Sequence, residues 1–212
     1  MQTTAELILL LVVLTNFAVL GTSRLRTCIQ AVATQGLLLG LLPLALASVF
    51  TVHVVGLAAG TLLVKAVILP WFLVWAIREA AVRREVEPVV GFITSLLLGA
   101  AALALAFAIS ARLPAGDVRD PLLVPVALAT VMIGLVVLTT RRKALTQVVG
   151  YLMLENGIYL FGLTQTESVP FLLEVGVLLD VFAGVFIMGI VVFHINREFD
   201  SLDSARLTEL KD

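Results

Sequence analysis

Long apolar runs, separated by short polar or charged breaks, alternate along the whole of this 212-residue chain. Each run has about 18 residues or more, which is the length a helix needs to cross the hydrocarbon core of a bilayer. The pattern predicts an all-α, polytopic membrane protein. Its seven transmembrane helices are predicted over residues 5–22, 28–50, 53–77, 88–110, 121–140, 144–164 and 171–195. After Asn196 the chain becomes polar, in "REFDSLDSARLTELKD", and we predict a short solvent-facing tail.

Basic residues are concentrated in alternate loops and in the tail. One predicted side holds eleven of them: Arg24, Arg26, Arg78, Arg83, Arg84, Arg141, Arg142, Lys143, Arg197, Arg206 and Lys211. The other side holds only Arg112 and Arg119. Because loops rich in Lys and Arg stay in the cytoplasm, we predict an outer N-terminus and a cytoplasmic C-terminus. The alternative, in which the second run forms one long buried hairpin, is not supported by this asymmetry.

The composition narrows the classes of function. Charged residues make up only 14% of the chain, where soluble domains average about 25%, and mean hydropathy is +1.11. The charges are confined to short loops, so we expect the chain to lie in a lipid bilayer and to bind no nucleic acid. One cysteine, Cys28, excludes intrachain disulfides and a cysteine-ligated iron–sulfur cluster. His53 and His194 have no metal-ligand spacing, and no catalytic, cofactor or metal site is predicted.

Four ionisable side chains fall inside the predicted membrane spans. Each costs at least about 2.5–3.5 kcal/mol at a helix centre and therefore needs a protein or water partner. At about 1.5 Å per residue, Lys65, Glu155 and Asp180 lie about 14–18 Å from the start of their spans, near the midplane. Glu174 is closer to the outer interface. These four residues are the predicted proton-path positions.

Neighbouring residues on the same helix faces are predicted to support the acids. Tyr151 and Tyr159 share a stripe with Glu155, one turn away on each side, where a phenol can hydrogen-bond a carboxylate or enclose water. Asn156 follows Glu155 directly in "GYLMLENGIYLFGL". The phenols and the amide are therefore predicted to support this acid.

The lysine and the second acid also have distinctive neighbours. Gly176 and Gly184 share a stripe with Asp180, and small residues there allow a neighbouring helix to approach closely. Pro70 cannot donate a backbone hydrogen bond to the carbonyl four residues earlier, next to Lys65. The freed carbonyl predicts a protein-lined or wet interior at this point.

Two interpretations of the buried acids remain open. A carboxylate whose pKa is raised by desolvation and lowered by a nearby cation can accept and release a proton, as a relay requires. Alternatively, Glu155 or Asp180 pairs with a basic residue, including one on a partner subunit, and only holds helices together. Ionisable residues on three helices favour the relay. Three other polar residues are expected to hydrogen-bond between helices: Asn16, Gln30 and Thr34.

Two C-terminal segments carry a family resemblance. "QVVGYLMLENGIYLFGL" and "FLLEVGVLLDVFAGVFIMGIVVFHI" resemble the hydrogenase-4 membrane component E (HyfE) family, and so do "SRLRTCIQAVATQGLLLGLLPLALA" and "LLVKAVILPWFLVWAIRE" upstream. The last three spans also resemble subunit K of bacterial complex I and the C subunit of multisubunit cation/proton antiporters. The resemblance divides the chain into a four-helix segment (residues 1–112), a three-helix subunit K-like segment (113–196) and a cytoplasmic tail (197–212).

The resemblance carries over unevenly to individual residues. In the complex I pattern a Glu lies four residues before the Asn. In this chain that Glu position is occupied by Leu152, and the acid, Glu155, lies directly before Asn156. Asp180 keeps the spacing of the second family acid to a Gly, with Asp in place of Glu. Lys65 belongs to the longer hydrogenase-type pattern, which implies a contact with another subunit.

The resemblance implies a role within a larger assembly. The chain would be a non-redox, proton-conducting subunit of an energy-converting hydrogenase, formate hydrogenlyase or complex I-like complex in the cell inner membrane. Its implied partners are antiporter-like large membrane subunits, a membrane junction subunit, and hydrophilic nickel–iron hydrogenase and iron–sulfur subunits. Three alternatives remain: a structural subunit that seals the complex without conducting, a subunit of a multisubunit antiporter, and a stand-alone transporter.

Overall fold

A computed structural model of the chain describes residues 2–47, 49, 51–79, 90–113, 120–164, 176, 179–190 and 192–193. Glu174, His194 and the predicted tail lie outside these residues. The described helices are α1 (Gln2–Gly21), α2 (Leu25–Leu46), α3 (Val52–Thr61), a π-helical segment (Leu62–Ile68), α4 (Leu69–Glu79), α5 (Phe92–Ser110), α6 (Leu123–Thr140), α7 (Ala144–Gly162) and α8 (Leu179–Ile190).

The all-helical prediction is confirmed, since the described residues form helices and no strand. By length and composition, five helices are able to cross a membrane: Thr3–Gly21, Leu25–Leu46, Val54–Arg78, Phe92–Ser110 and Leu123–Thr140. The 19 residues of α7 are long enough but include Gln147, Glu155 and Asn156, and α8 is described over 12 residues. The count of seven spans and the orientation of the termini therefore stay predictions.

The π-helical segment joins α3 and α4 into one continuous helix around Lys65. At its end the backbone N–H of Leu69 donates to the carbonyl of Val64, five residues earlier. Pro70 has no N–H, and its ring would clash with the carbonyl of Ala66 in a regular α-helix. The longer π-type bond is a known local solution to such a conflict, and it is common near functional sites. The irregularity lies where the sequence predicted a freed carbonyl, that of Ala66.

Glycines bring α6 and α7 into backbone contact. A Cβ at Gly150 would lie 2.5 Å from the backbone N of Leu138, and a Cβ at Gly134 would lie 2.5 Å from the backbone N of Leu154. At Gly157 a Cβ would lie 2.6 Å from another backbone N of α6. Since no side chain fits at these three positions, the two helices depend on glycine for their spacing.

Among the described residues, no helix makes the close approach predicted at Gly176 and Gly184. A Cβ added at either position would have no atom within 4 Å among the described residues. Instead, α8 buries the face that carries Ala183 and Ile187, together with Asp180. The face of α8 with Asp180, Ala183 and Ile187 therefore contacts the rest of the described chain, while the large side chains of Phe182 and Phe186 are exposed.

The apolar core forms two clusters at different levels of the helices. One contains Leu25, Leu73, Val149 and Ile187 among its members, and the other contains Leu9, Leu39, Leu123 and Leu160. In α1, α2, α6 and α7 a short stretch of sequence separates the two clusters. Five buried polar residues occupy that stretch: Asn16, Gln35, Thr130, Glu155 and Asn156. The fold thus encloses one polar layer between two apolar ones.

Candidate functional site

Three of the predicted proton-path residues meet in one buried cluster. The Lys65 ammonium, on the π-helical segment, donates to Oε1 of Glu155 on α7 and, at 3.1 Å, to Oδ1 of Asp180 on α8. Their exposed fractions are 5%, 1% and 9%. Residue counting predicted a similar depth for the three side chains, and in the structure they are in contact. Lys65 bonds to two acids inside this chain, and the contact with another subunit that the resemblance implied stays a prediction.

The cluster contains one cation and two acids. With both carboxylates ionised it carries a net charge of −1, and with one proton on either acid it is neutral. A net charge is costly away from water, so a neutral cluster is the less expensive state. The second oxygen of Glu155, Oε2, is buried without a hydrogen-bond partner in the described part of the chain. It is the position at which a proton on Glu155 would add a donor.

Neither tyrosine of the predicted stripe bonds to Glu155. The hydroxyl of Tyr151 donates to the backbone carbonyl of Leu179 at 3.3 Å, beside Asp180. Thr61, one turn before Lys65, donates to the hydroxyl of Tyr159 at 3.2 Å. The two phenols thus lie one turn on each side of the acid and tie α7 to α8 and α3, respectively.

A chain of buried amides begins next to the ionic cluster. Asn156 Nδ2 donates to Gln35 Oε1 at 2.9 Å, and Gln35 Nε2 donates to Asn16 Oδ1 at 2.8 Å. Asn16 Nδ2 donates in turn to Thr130 Oγ1 at 2.9 Å. All four side chains are buried. The chain of hydrogen bonds joins α7, α2, α1 and α6 within the polar layer.

The sequence identified this network only in part. The bond between helices predicted for Asn16 is confirmed. Gln30 and Thr34 are exposed, and Thr34 donates to the carbonyl of Gln30 in its own helix, so the prediction for them is wrong. Gln35 was missed, because a glutamine in an apolar helix does not itself show which face is buried. The adjoining Gly36 was the available signal, since a small residue marks a contact face.

Arg141 was expected in a cytoplasmic loop, but its side chain is buried between helices. Its Nη2 donates to the carbonyl of Leu20 at 3.1 Å, and its guanidinium carbon lies 5.6 Å from the centre of the Phe92 ring. Burial lowers the pKa of this group below its usual value. The arginine therefore joins the end of α1 to the start of α5 from the α6–α7 connection.

The described residues contain no group of three or more His, Cys, Asp or Glu side chains that could hold a metal ion. The side-chain environment of His53 is not described, and Glu174 and His194 lie outside the described residues. The described site therefore consists of the lysine, its two acids and the adjoining amide chain.

Fold and site together define a multi-pass, all-helical membrane protein with a buried lysine–carboxylate cluster. Within that class, the chain belongs to the same family as uncharacterized protein Rv0085 of Mycobacterium tuberculosis. The two are 36% identical over 207 residues, which cover 94% of this chain and 92% of the relative.

A more distant similarity links the chain to hydrogenase-4 component E. The protein of that name from Escherichia coli K12 is 29% identical over 156 residues, covering 73% of this chain and 72% of the relative, and the Shigella flexneri protein gives the same values. No family model matches the chain, and no solved structure matches it. The similarity supports the resemblance drawn from the sequence at the level of distant homology.

Proposed function

We propose that this chain is a non-redox membrane subunit of an energy-converting hydrogenase, formate hydrogenlyase or complex I-like assembly, and that it contributes Glu155, Asp180 and Lys65 to a proton path. The distant similarity to hydrogenase-4 component E and the apolar helices support the membership. The buried cluster supports the role in proton transfer. No part of this role requires a redox centre in the chain.

One observation carries the proposal: a single ammonium is shared by two carboxylates from different helices. When one acid holds a proton, Lys65 neutralises the other. Moving the proton from Glu155 to Asp180 then exchanges their roles without changing the net charge of the cluster. The lysine needs only to shift towards the newly ionised acid, which is already within its reach. Such an exchange avoids the cost of an unpaired charge in the membrane.

The proposal includes an arrangement in the membrane. Seven helices would cross the cell inner membrane, with the N-terminus outside and the C-terminus in the cytoplasm. Glu174 would lie between the cluster and the outer surface. The neighbours would be antiporter-like large membrane subunits and a membrane junction subunit, and the hydrophilic nickel–iron hydrogenase and iron–sulfur subunits would belong to the same complex. Residues 113–196 would form the subunit K-like part.

The same contacts favour one alternative. Because Lys65 joins the π-helical segment to both α7 and α8, the cluster also holds three helices together. A structural subunit that assembles and seals the complex, without conducting, would use it in this way. Breaking one partner of a buried ion pair costs about 3–5 kcal/mol, which would reduce folding and assembly.

Neutral substitutions of similar shape separate these functions. Glu155→Gln and Asp180→Asn should assemble normally, as measured by co-purification of the other subunits, yet lose proton uptake coupled to hydrogenase turnover in inverted vesicles. Glu6→Gln, a neutralised acid near the start of α1, is the matched control and should keep wild-type uptake. Normal uptake in both cluster variants would refute the relay. Reduced assembly with unchanged uptake per assembled complex would favour the structural function.

A further inference from the structure

The hydrogen bonds of the buried amide chain all run in one direction, which Thr130 sets at the end of the chain and Thr15 supports at Gln35. The Thr15 hydroxyl donates to the carbonyl of Val12 at 2.7 Å and accepts from Gln35 Nε2 at 3.3 Å. The hydroxyl of Thr130 donates its only hydrogen to the carbonyl of Val126 at 2.8 Å. It can therefore only accept from Asn16, which must present its NH₂ group there and its carbonyl to Gln35. Gln35 must in turn present its carbonyl to Asn156. The orientation of the Asn156 amide is thus determined three hydrogen bonds away.

Two consecutive residues of α2 lie next to the ion pair, one against the Lys65 backbone and the other bonded to the neighbour of Glu155. The side chain of Gln35 accepts from Asn156, which follows Glu155 on α7. The next residue, Gly36, lies against the backbone of Lys65: a Cβ at Gly36 would be 2.7 Å from the Lys65 carbonyl carbon and oxygen. One short stretch of α2 therefore contacts the backbone that carries the ammonium and the residue beside the carboxylate.

We propose that Gln35 is a positioning residue, which fixes the rotation of α7 through Asn156 and so holds Glu155 on Lys65. A carboxylate about 5 Å from the helix axis moves about 2 Å when the helix turns by about 20°. Such a displacement is enough to break a hydrogen-bonded ion pair. The relevance to proton transfer rests on the proposed function, whereas the positioning itself does not.

Infrared titration of the full-length protein in lipid vesicles tests the inference directly. The C=O stretch of protonated Glu155 is assigned by its loss in Glu155→Gln, and its intensity is followed against pH. In Gln35→Leu we expect the midpoint to rise by about 1 pH unit, because Glu155 loses contact with the Lys65 cation. Thr34→Val is the matched control. Thr34 precedes Gln35 but is exposed and bonds within its own helix, so its midpoint should be unchanged.

A triple variant protects the test against misfolding. Gln35→Leu alone leaves the buried Asn156 NH₂ group without its acceptor and the Asn16 carbonyl without its donor, which can destabilise the protein, while Asn16 keeps its bond to Thr130. Combining Gln35→Leu with Asn156→Leu and Asn16→Leu removes the unsatisfied amides. It also removes the hydrogen bond that joins α7 to α2. The midpoint should still rise in this variant. A folded variant, single or combined, with the wild-type midpoint would overturn the inference.

The outcome is independent of the transport assay. A shifted midpoint in Gln35→Leu, together with normal proton uptake in Glu155→Gln, would keep the positioning and refute the proposed function. An unshifted midpoint in Gln35→Leu, together with lost proton uptake in Glu155→Gln, would refute the positioning and support the proposed function.

Discussion

Replacing Gly150 by Ala should destabilise the packing of α6 against α7. The added Cβ would lie 2.5 Å from the backbone N of Leu138, 2.9 Å from its Cα and 3.0 Å from the carbonyl oxygen of Gly134. The first distance is about 1 Å short of an ordinary contact. Every nearby atom is backbone, so no side-chain rotation relieves the clash and the helices must separate.

The size of the effect follows from two opposing contributions. Overpacking of this kind costs about 1–3 kcal/mol. Ala is favoured over Gly in a helix by about 1 kcal/mol, which offsets part of that cost. We therefore expect Gly150→Ala to lower the free energy of unfolding by up to about 2 kcal/mol. Gly184→Ala gains the same helix preference but meets no atom within 4 Å, so it should leave stability unchanged or raise it slightly.

The single cysteine provides the assay. Cys28 is buried, so a thiol-reactive fluorophore added to the purified chain in detergent should report unfolding on heating. The curve of Gly150→Ala should shift to lower temperature relative to both the wild type and Gly184→Ala. Equal curves for the two alanine variants would refute the assignment of the packing face. A larger loss of stability in Gly184→Ala than in Gly150→Ala would support the close helix approach that the sequence predicted at Gly176 and Gly184.

Three further outcomes are expected in the same preparation. Asn16→Leu should cost about 1–3 kcal/mol, because Gln35 loses the Asn16 carbonyl as an acceptor and Thr130 loses the Asn16 amide as a donor. Asn16→Leu combined with Thr130→Val should recover part of that loss, and no recovery would contradict a linked network. Arg141→Ala should cost about 2–5 kcal/mol by leaving a cavity, and Arg141→Met, which keeps the volume without the charge, should cost less than about 1 kcal/mol. Equal costs would show that the charge dominates. Cys28 should resist a small water-soluble thiol reagent in the folded protein and react fully in denaturant; rapid reaction in the native state would contradict its burial.

Depth along the membrane was predictable because it depends on little besides the helical rise. Counting residues from the charged breaks put Lys65, Glu155 and Asp180 at one level, and the structure joins them there. The rise per residue is nearly constant, so an error of two or three residues in a helix boundary changes the depth by only about 3–5 Å.

Rotation about a helix axis was not predictable to the same degree. Each residue turns an α-helix by about 100°, and a partner helix selects the buried face from shape that the sequence does not display. The glycines at 176 and 184 and those at 134, 150 and 157 look alike in the sequence. Only the second set has a neighbouring backbone against it. Gln30 and Gln35 differ in the same way, since one faces outward and the other lies at the centre of the amide chain.

The π-helical segment shows why, at the site itself, depth was predictable from the sequence and rotation about the helix axis was not. The missing N–H of Pro70 correctly marked a backbone irregularity beside Lys65, but a missing donor does not dictate how the helix responds. Bonds that span five residues change the angular relation between α3 and α4, so positions on one side of the segment no longer predict faces on the other. Thr61 faces Tyr159 and Lys65 faces Glu155 in this altered register. The contact of one ammonium with two acids therefore depends on a local departure from α-helical geometry. The sequence predicts where along the helix this departure lies, but not which way it turns the side chains.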